Sequence, residues 1–210
     1  MHADLLKFKQ YWTRFSNGYP LQGELSQVLY QRLYRAYTEP HRYYHTMQHI
    51  VECLDLFDQV RDQLEDALAV EVTIWFHDIV YQPRCSDNEE QSAKIVQALC
   101  VNFLSVDQLE KVSAWIKATQ KHLPSRDSDL QYLLDIDLAI LASSAERFQQ
   151  YHEQIHLEYQ WVEADVYLYK RRQVLDGFYQ KQPIYQSTFF YRKLEQCAKL
   201  NLAQALEHFN

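Results

Sequence analysis

Glycine and proline are scarce in this chain, three and five among 210 residues, and their scarcity excludes a good deal. A sandwich or barrel of many short strands needs such residues at its turns, so few breakers point to long helices and short loops. No run of 18 apolar residues occurs, which argues against a helical membrane span. The opening stretch MHADLLKFKQYW lacks the basic-then-apolar pattern of a secretory signal. The four cysteines, Cys53, Cys85, Cys100 and Cys197, show no C-x-x-C spacing and read as reduced thiols, mostly packed in a core. Positive charge is short as well: 21 Lys and Arg stand against 28 Asp and Glu, a formal net charge of −7. Without a basic patch or stripe, binding to a nucleic-acid duplex is not expected. What remains is a cytoplasmic globular protein with no membrane partner, read as one domain over 1–210, with a homodimer left open.

Apolar positions recur at helical spacing almost throughout. In LSQVLYQRLYRAY (25–37), Leu25, Val28, Leu29, Leu33 and Tyr34 or Tyr37 fall on one side. IVECLDLFDQV (50–60) continues a helix begun by YHTMQHI, and LEDALAVEVTIWFHDIVY (64–81) is so apolar that it reads as a central buried helix. Ser86 with Glu89, Ser105 with Gln108 and Ser143 with Glu146 each fit the capping box, placing helix starts near 87, 106 and 144. KHLPSRDSD (121–129) and KQPIY (181–185) read as loops. The expected fold is all-α, a helical bundle of eight to ten helices.

Three stretches put polar residues where apolar ones belong. YHTMQHI (44–50) carries His45 and His49, four apart and so on one face if the run is helical. Either the rings bind a metal or move protons, or they are half-buried residues beneath a helix. WFHDIVY (75–81) sets His77 and Asp78 in the most apolar run of the chain. A buried carboxylate needs a partner, whether a hydrogen bond, a cation or a metal, and a local capping role is the competing explanation. LLDIDLAIL (133–141) interrupts another apolar run with Asp135 and Asp137, and both facing water is not expected in such surroundings.

In order, these pieces spell H…HD…D, which resembles the HD superfamily of metal-dependent phosphohydrolases. The run Y-x-E-P-H-R-Y-Y-H-x-x-x-H-I (37–50), WFHDIVY, DNEEQSA (87–93), ATQKH (118–122) and DIDLAIL (135–141) is similar to one bacterial branch of predicted hydrolases in that superfamily. YHTMQH is also similar to the YHNxxH start of the cyclic-nucleotide phosphodiesterase site. The resemblance covers about 37–141, leaving 142–210 to complete the bundle.

That resemblance implies a set of roles. His49, His77, Asp78 and Asp137 become metal ligands, with Asp137 preferred to Asp135 because a Leu follows it. His45 becomes the general acid; an alternative register makes His45 the first ligand instead. A His₂Asp₂ set suits Mn, Fe, Co, Ni or Zn as a divalent ion with open positions. Such an ion acidifies water and neutralises phosphoryl charge. Asp78 could bridge to a second ion, but His122 is the sole histidine between Asp78 and Asp137, where dinuclear members usually supply two. One firmly bound ion with at most a weak second site is therefore expected. His122 could contact phosphate or simply end a helix, and Glu89 could orient water or serve its capping box. Arg42 and Arg171 are candidates for substrate phosphate, since guanidinium suits bidentate contact. The implied activity is hydrolysis of a phosphomonoester or phosphoanhydride in a small phosphorylated molecule, with a nucleotide favoured. The alternatives are a di-iron oxygenase on the same fold and a non-catalytic nucleotide-binding module.

Overall fold

A computed structural model describes residues 2–19, 21 and 23–207. Among them are ten α-helices and no strand, the all-α class expected from so few breakers. By contact the chain divides into two compact units, Met1–Leu123 and Pro124–Asn210. That boundary cuts the stretch 37–141 marked in the sequence. No helix is long and apolar enough to cross a membrane, among the residues searched.

The first unit holds α1 (His2–Gly18), α2 (Gly23–Ala36), α3 (Met47–Val60), α4 (Ala67–Phe76), α5 (Asn88–Leu99) and α6 (Val106–Thr119). Helix α4 is central: every residue from Ala69 to Phe76 is buried. It packs against α3, α5 and α6. Its Trp75 sits at 5.0 Å from Phe8 and 5.3 Å from Trp12, edge to face, the geometry that ring quadrupoles favour. Asp66 caps α4 by accepting the Ala69 N–H at 3.0 Å. One residue in this apolar helix is charged. Glu71 is 1% exposed, and burial, against the pull of Arg14, pushes its carboxyl up to about 7. In α2, Leu29 and Leu33 are buried as expected, but Val28 is half exposed.

The second unit holds α7 (Ser128–Asp137), a 3₁₀ turn (Leu138–Ala142), α8 (Ala145–Glu158), α9 (Ala164–Gln180) and α10 (Thr188–Glu207). Here α10 packs on the 3₁₀ turn and α9. Asn201 fastens the turn by donating to the Leu141 and Ser143 carbonyls, both at 2.9 Å.

Of the three expected capping boxes, one forms as read: Ser105 accepts from Gln108 N while Gln108 accepts from Ser105 N. The other two are corrected. The cap of α8 is Ser144, not Ser143, and that of α5 is Asp87, not Ser86. Two of the cysteines, Cys53 and Cys100, are buried, whereas Cys85 and Cys197 are exposed, so only half of the thiols are core residues.

Candidate metal centre

The two histidine-bearing stretches are shorter helices than their apolar patterns suggest, and that shapes the site. Helix α3 begins at Met47, with Thr46 capping it by accepting from Gln48 N. His45 therefore lies in the turn before α3, and the expected shared helical face with His49 does not exist. Instead, His45 is held by its neighbours. Its ring stacks on Tyr81 at 4.0 Å and meets Tyr44 edge-on at 4.9 Å.

Helix α4 likewise stops at Phe76, so His77 and Asp78 stand just beyond it rather than within the buried helix expected over 64–81. The cause is remote in sequence. Tyr37 donates to the Trp75 carbonyl at 2.9 Å. Arg42 donates to the carbonyls of Asp78 at 2.7 Å and Ile79 at 3.2 Å, and His41 Nε2 meets that of Tyr81 at 2.7 Å. Four carbonyls that would seek helical partners are thus taken by side chains from residues 37–42, and the chain turns. Ser92 contributes from α5, donating to Val80 O and accepting from Val80 N.

The outcome is a knot of donors. His49 Nε2 lies 3.1 Å from His77 Nε2, and His77 Nε2 lies 3.1 Å from Asp78 Oδ2. His49 Nε2 is 3.8 Å from the same carboxylate oxygen. His49 and His77 are 2% and 3% exposed. His77 Nδ1 faces the Ile74 carbonyl at 3.0 Å. A carbonyl only accepts, so Nδ1 carries a proton; Nε2 donates to Asp78 here and is the nitrogen that would ligate a cation in exchange for that proton. Donors bound at about 2.0–2.2 Å to one small ion lie roughly 3.0–3.5 Å apart, close to the spacing here. The three residues therefore fit a divalent cation. Burial alone would raise the Asp78 carboxyl, but His77, by charge and hydrogen bond, and then His45 and His49 hold it well below the usual carboxylate range.

The other expected site residues are placed as follows. Arg42 is 5% exposed. Besides the two carbonyls above it donates to Glu39 at 2.9 Å and to His45 O at 3.2 Å, and it lies over Tyr37 and Tyr81. Its guanidinium is a brace between the two histidine-bearing segments, and its donors are occupied by protein rather than left for a phosphate. Glu89, in the first turn of α5, accepts from Gln120 Nε2 at 3.1 Å, and the same amide donates to Ser86 O. His122 follows α6 with φ 47°, a left-handed residue that ends the helix through its N–H to Ala118 O. Neither Glu89 nor His122 belongs to the His49–His77–Asp78 cluster.

In the second unit, Asp137 ends α7 and is partly exposed, whereas Asp135 is 1% exposed. Asp135 accepts from Gln186 N and Ser187 N, both at 2.7 Å, so its role is structural. Arg171 lies on α9, 7% exposed. Cys53, which the sequence suggested only as a core thiol, has its sulfur 3.7 Å from His49 Nδ1. Its H-x-x-x-C spacing from His49 was the available signal.

Compared with known proteins, the chain matches no family model, no curated protein and no solved structure.

Proposed function

We propose that this chain is a metal-dependent hydrolase of phosphomonoesters or phosphoanhydrides, related to the HD superfamily and acting on a small phosphorylated molecule such as a nucleotide. The observation that carries the reading is the convergence of His49, His77 and Asp78 at 3.1–3.8 Å, with His77 Nδ1 engaged by the Ile74 carbonyl so that Nε2 is the nitrogen turned to the cluster. A divalent ion held there would supply Lewis acidity, acidifying water and offsetting phosphoryl charge.

The chain's own residues do the rest. His77 is fixed by its Nδ1 bond, and Asp78 by the grip of Arg42 on its backbone, so both are oriented before anything binds. His45 is partly exposed and stacked on Tyr81. In this reading it would deliver a proton to a leaving oxygen, the role the resemblance gives it. The fourth ligand, Asp137, comes from the sequence resemblance, and metal content of Asp137→Ala tests that assignment.

The reading is tested by stripping the protein with a chelator and reloading it with Mn²⁺, Co²⁺, Ni²⁺ or Zn²⁺. Hydrolysis of nucleoside phosphates and p-nitrophenyl phosphate is then followed by phosphate release. Activity restored by metal, absent in Asp78→Ala, and absent in a His45→Ala variant that still holds metal is the expected result. Close to two irons per chain with oxygen-dependent turnover would favour oxygenase chemistry instead. Metal binding without turnover of any phosphate compound would leave a binding module.

A further inference from the structure

We infer that the second unit contains an oxyanion-binding site built on the Arg171 guanidinium, separate from the metal chemistry proposed above. Helix α9 is exposed along most of its length and buries one stripe, Tyr167, Arg171 and Leu175, successive turns of a single face. An arginine at the centre of such a stripe is unusual, because this side chain stays charged under all ordinary conditions and cannot shed its charge on burial. Buried charges are normally paired or bridged. Here no carboxylate pairs with Arg171 among the described residues, and its Nε and Nη2 are buried without a hydrogen-bond partner.

The two empty donors are informative as a pair. The N–H of Nε and one N–H of Nη2 leave the guanidinium from the same edge, in parallel. That edge is the fork that receives two oxygens of one carboxylate or phosphate group. The guanidinium carbon lies over the Tyr151 ring of α8, 4.8 Å from its centre. That contact holds the cation without using any N–H, so the buried Nε and Nη2 keep their donors without a protein partner. The ligand this arrangement fits is a single oxyanion group, a phosphate or a carboxylate, on a small molecule. A lysine could not replace the arginine, since a point charge cannot offer two parallel donors.

The test uses the full-length chain, stripped of metal by chelator and held in a chloride buffer. Inorganic phosphate and malonate are titrated in separate calorimetric experiments, on the wild-type protein and on Asp78→Ala. Saturable binding of at least one anion, at one site per chain and equal in both proteins, is expected, and the tighter anion identifies the ligand class. Arg171→Lys should weaken that binding at least tenfold. Arg171→Gln, which loses an unpaired charge along with the contact to Tyr151, should still fold in anion-free buffer and should lose the anion-induced rise in Tm. Binding of neither anion, an unchanged affinity in Arg171→Lys, or binding that needs the metal site would overturn the proposal. So would failure of Arg171→Gln to fold without anions, because the guanidinium would then serve the fold itself.

Discussion

Each unit sets an aspartate at or near the end of an apolar helix, Asp78 half-buried and Asp135 buried, and the two are satisfied in opposite ways. In the first unit Asp78 faces imidazoles, while its own backbone carbonyl is held by Arg42. In the second, Asp135 faces backbone amides, those of Gln186 and Ser187. Glu195 of α10 serves the same loop, accepting from Ile184 N and Tyr185 N at 3.0–3.2 Å. Two carboxylates thus satisfy four consecutive N–H groups of one loop. The difference shows in the proton affinities. The histidines hold Asp78 below the usual range, whereas burial pushes Asp135 up to about 6 despite its amide partners. A carboxylate facing imidazole nitrogens could hold a cation with them. One saturated by amides is arranged for a loop.

Substitutions should separate the two. The largest effect is expected for Asp78→Ala, which removes the only carboxylate of the first unit's cluster. Metal should be lost, and metal-dependent hydrolysis should fall by roughly 10²–10³ or more, read as initial rates with metal in excess. Next comes Arg42→Met, which removes no ligand side chain but frees the carbonyls of Asp78 and Ile79. It should weaken metal affinity about 10–100-fold, measured by competition with a chelating dye, with the helical circular dichroism retained. A phosphate contact would instead raise KM and leave metal affinity intact.

Asp135→Asn sharpens the contrast from the other side. It turns an NH₂ group toward one loop amide and should cost about 1–3 kcal/mol in urea unfolding, with metal content unchanged. The pH dependence of the wild type carries the same signature. Asp135 binds its proton more tightly folded than unfolded, about 6 against 3.8. Its contribution to stability is therefore fully present below pH 3.8 and declines as pH rises to about 6, by at most about 3 kcal/mol. Urea midpoints across pH 4–7 should fall less steeply in Asp135→Asn than in the wild type. The smallest effect is expected for Cys53→Ala, a trimmed core side chain beside His49: about 1 kcal/mol or less of stability and metal stoichiometry unchanged by mass spectrometry.

How far the sequence carried this account can be seen residue by residue. The helical class followed from the missing breakers, and Ser105 with Gln108 capped as written because no rival cap stood beside them. Ser143 and Ser86 each had such a rival, Ser144 and Asp87, and the choice between adjacent caps depends on where the previous turn ends. His49, His77 and Asp78 were visible as polar residues in apolar runs. What could not be seen was why the helices end beside them. The end of α4 is imposed by Tyr37, His41 and Arg42, about 40 residues earlier, and a hydrophobic period contains no record of which side chain will claim a carbonyl. For the same reason Arg42 read as a ligand-facing cation and is a brace. Asp135 and Asp137 look alike in sequence, and only the loop at 184–187 distinguishes them.

The most direct test is metal content per chain, measured by inductively coupled plasma mass spectrometry on wild type, Asp78→Ala and Asp135→Asn after reloading and desalting. The account predicts about one divalent ion in the wild type and in Asp135→Asn, and none in Asp78→Ala. Equal metal in all three, or none in the wild type, would contradict the assignment of His49, His77 and Asp78 as a metal centre.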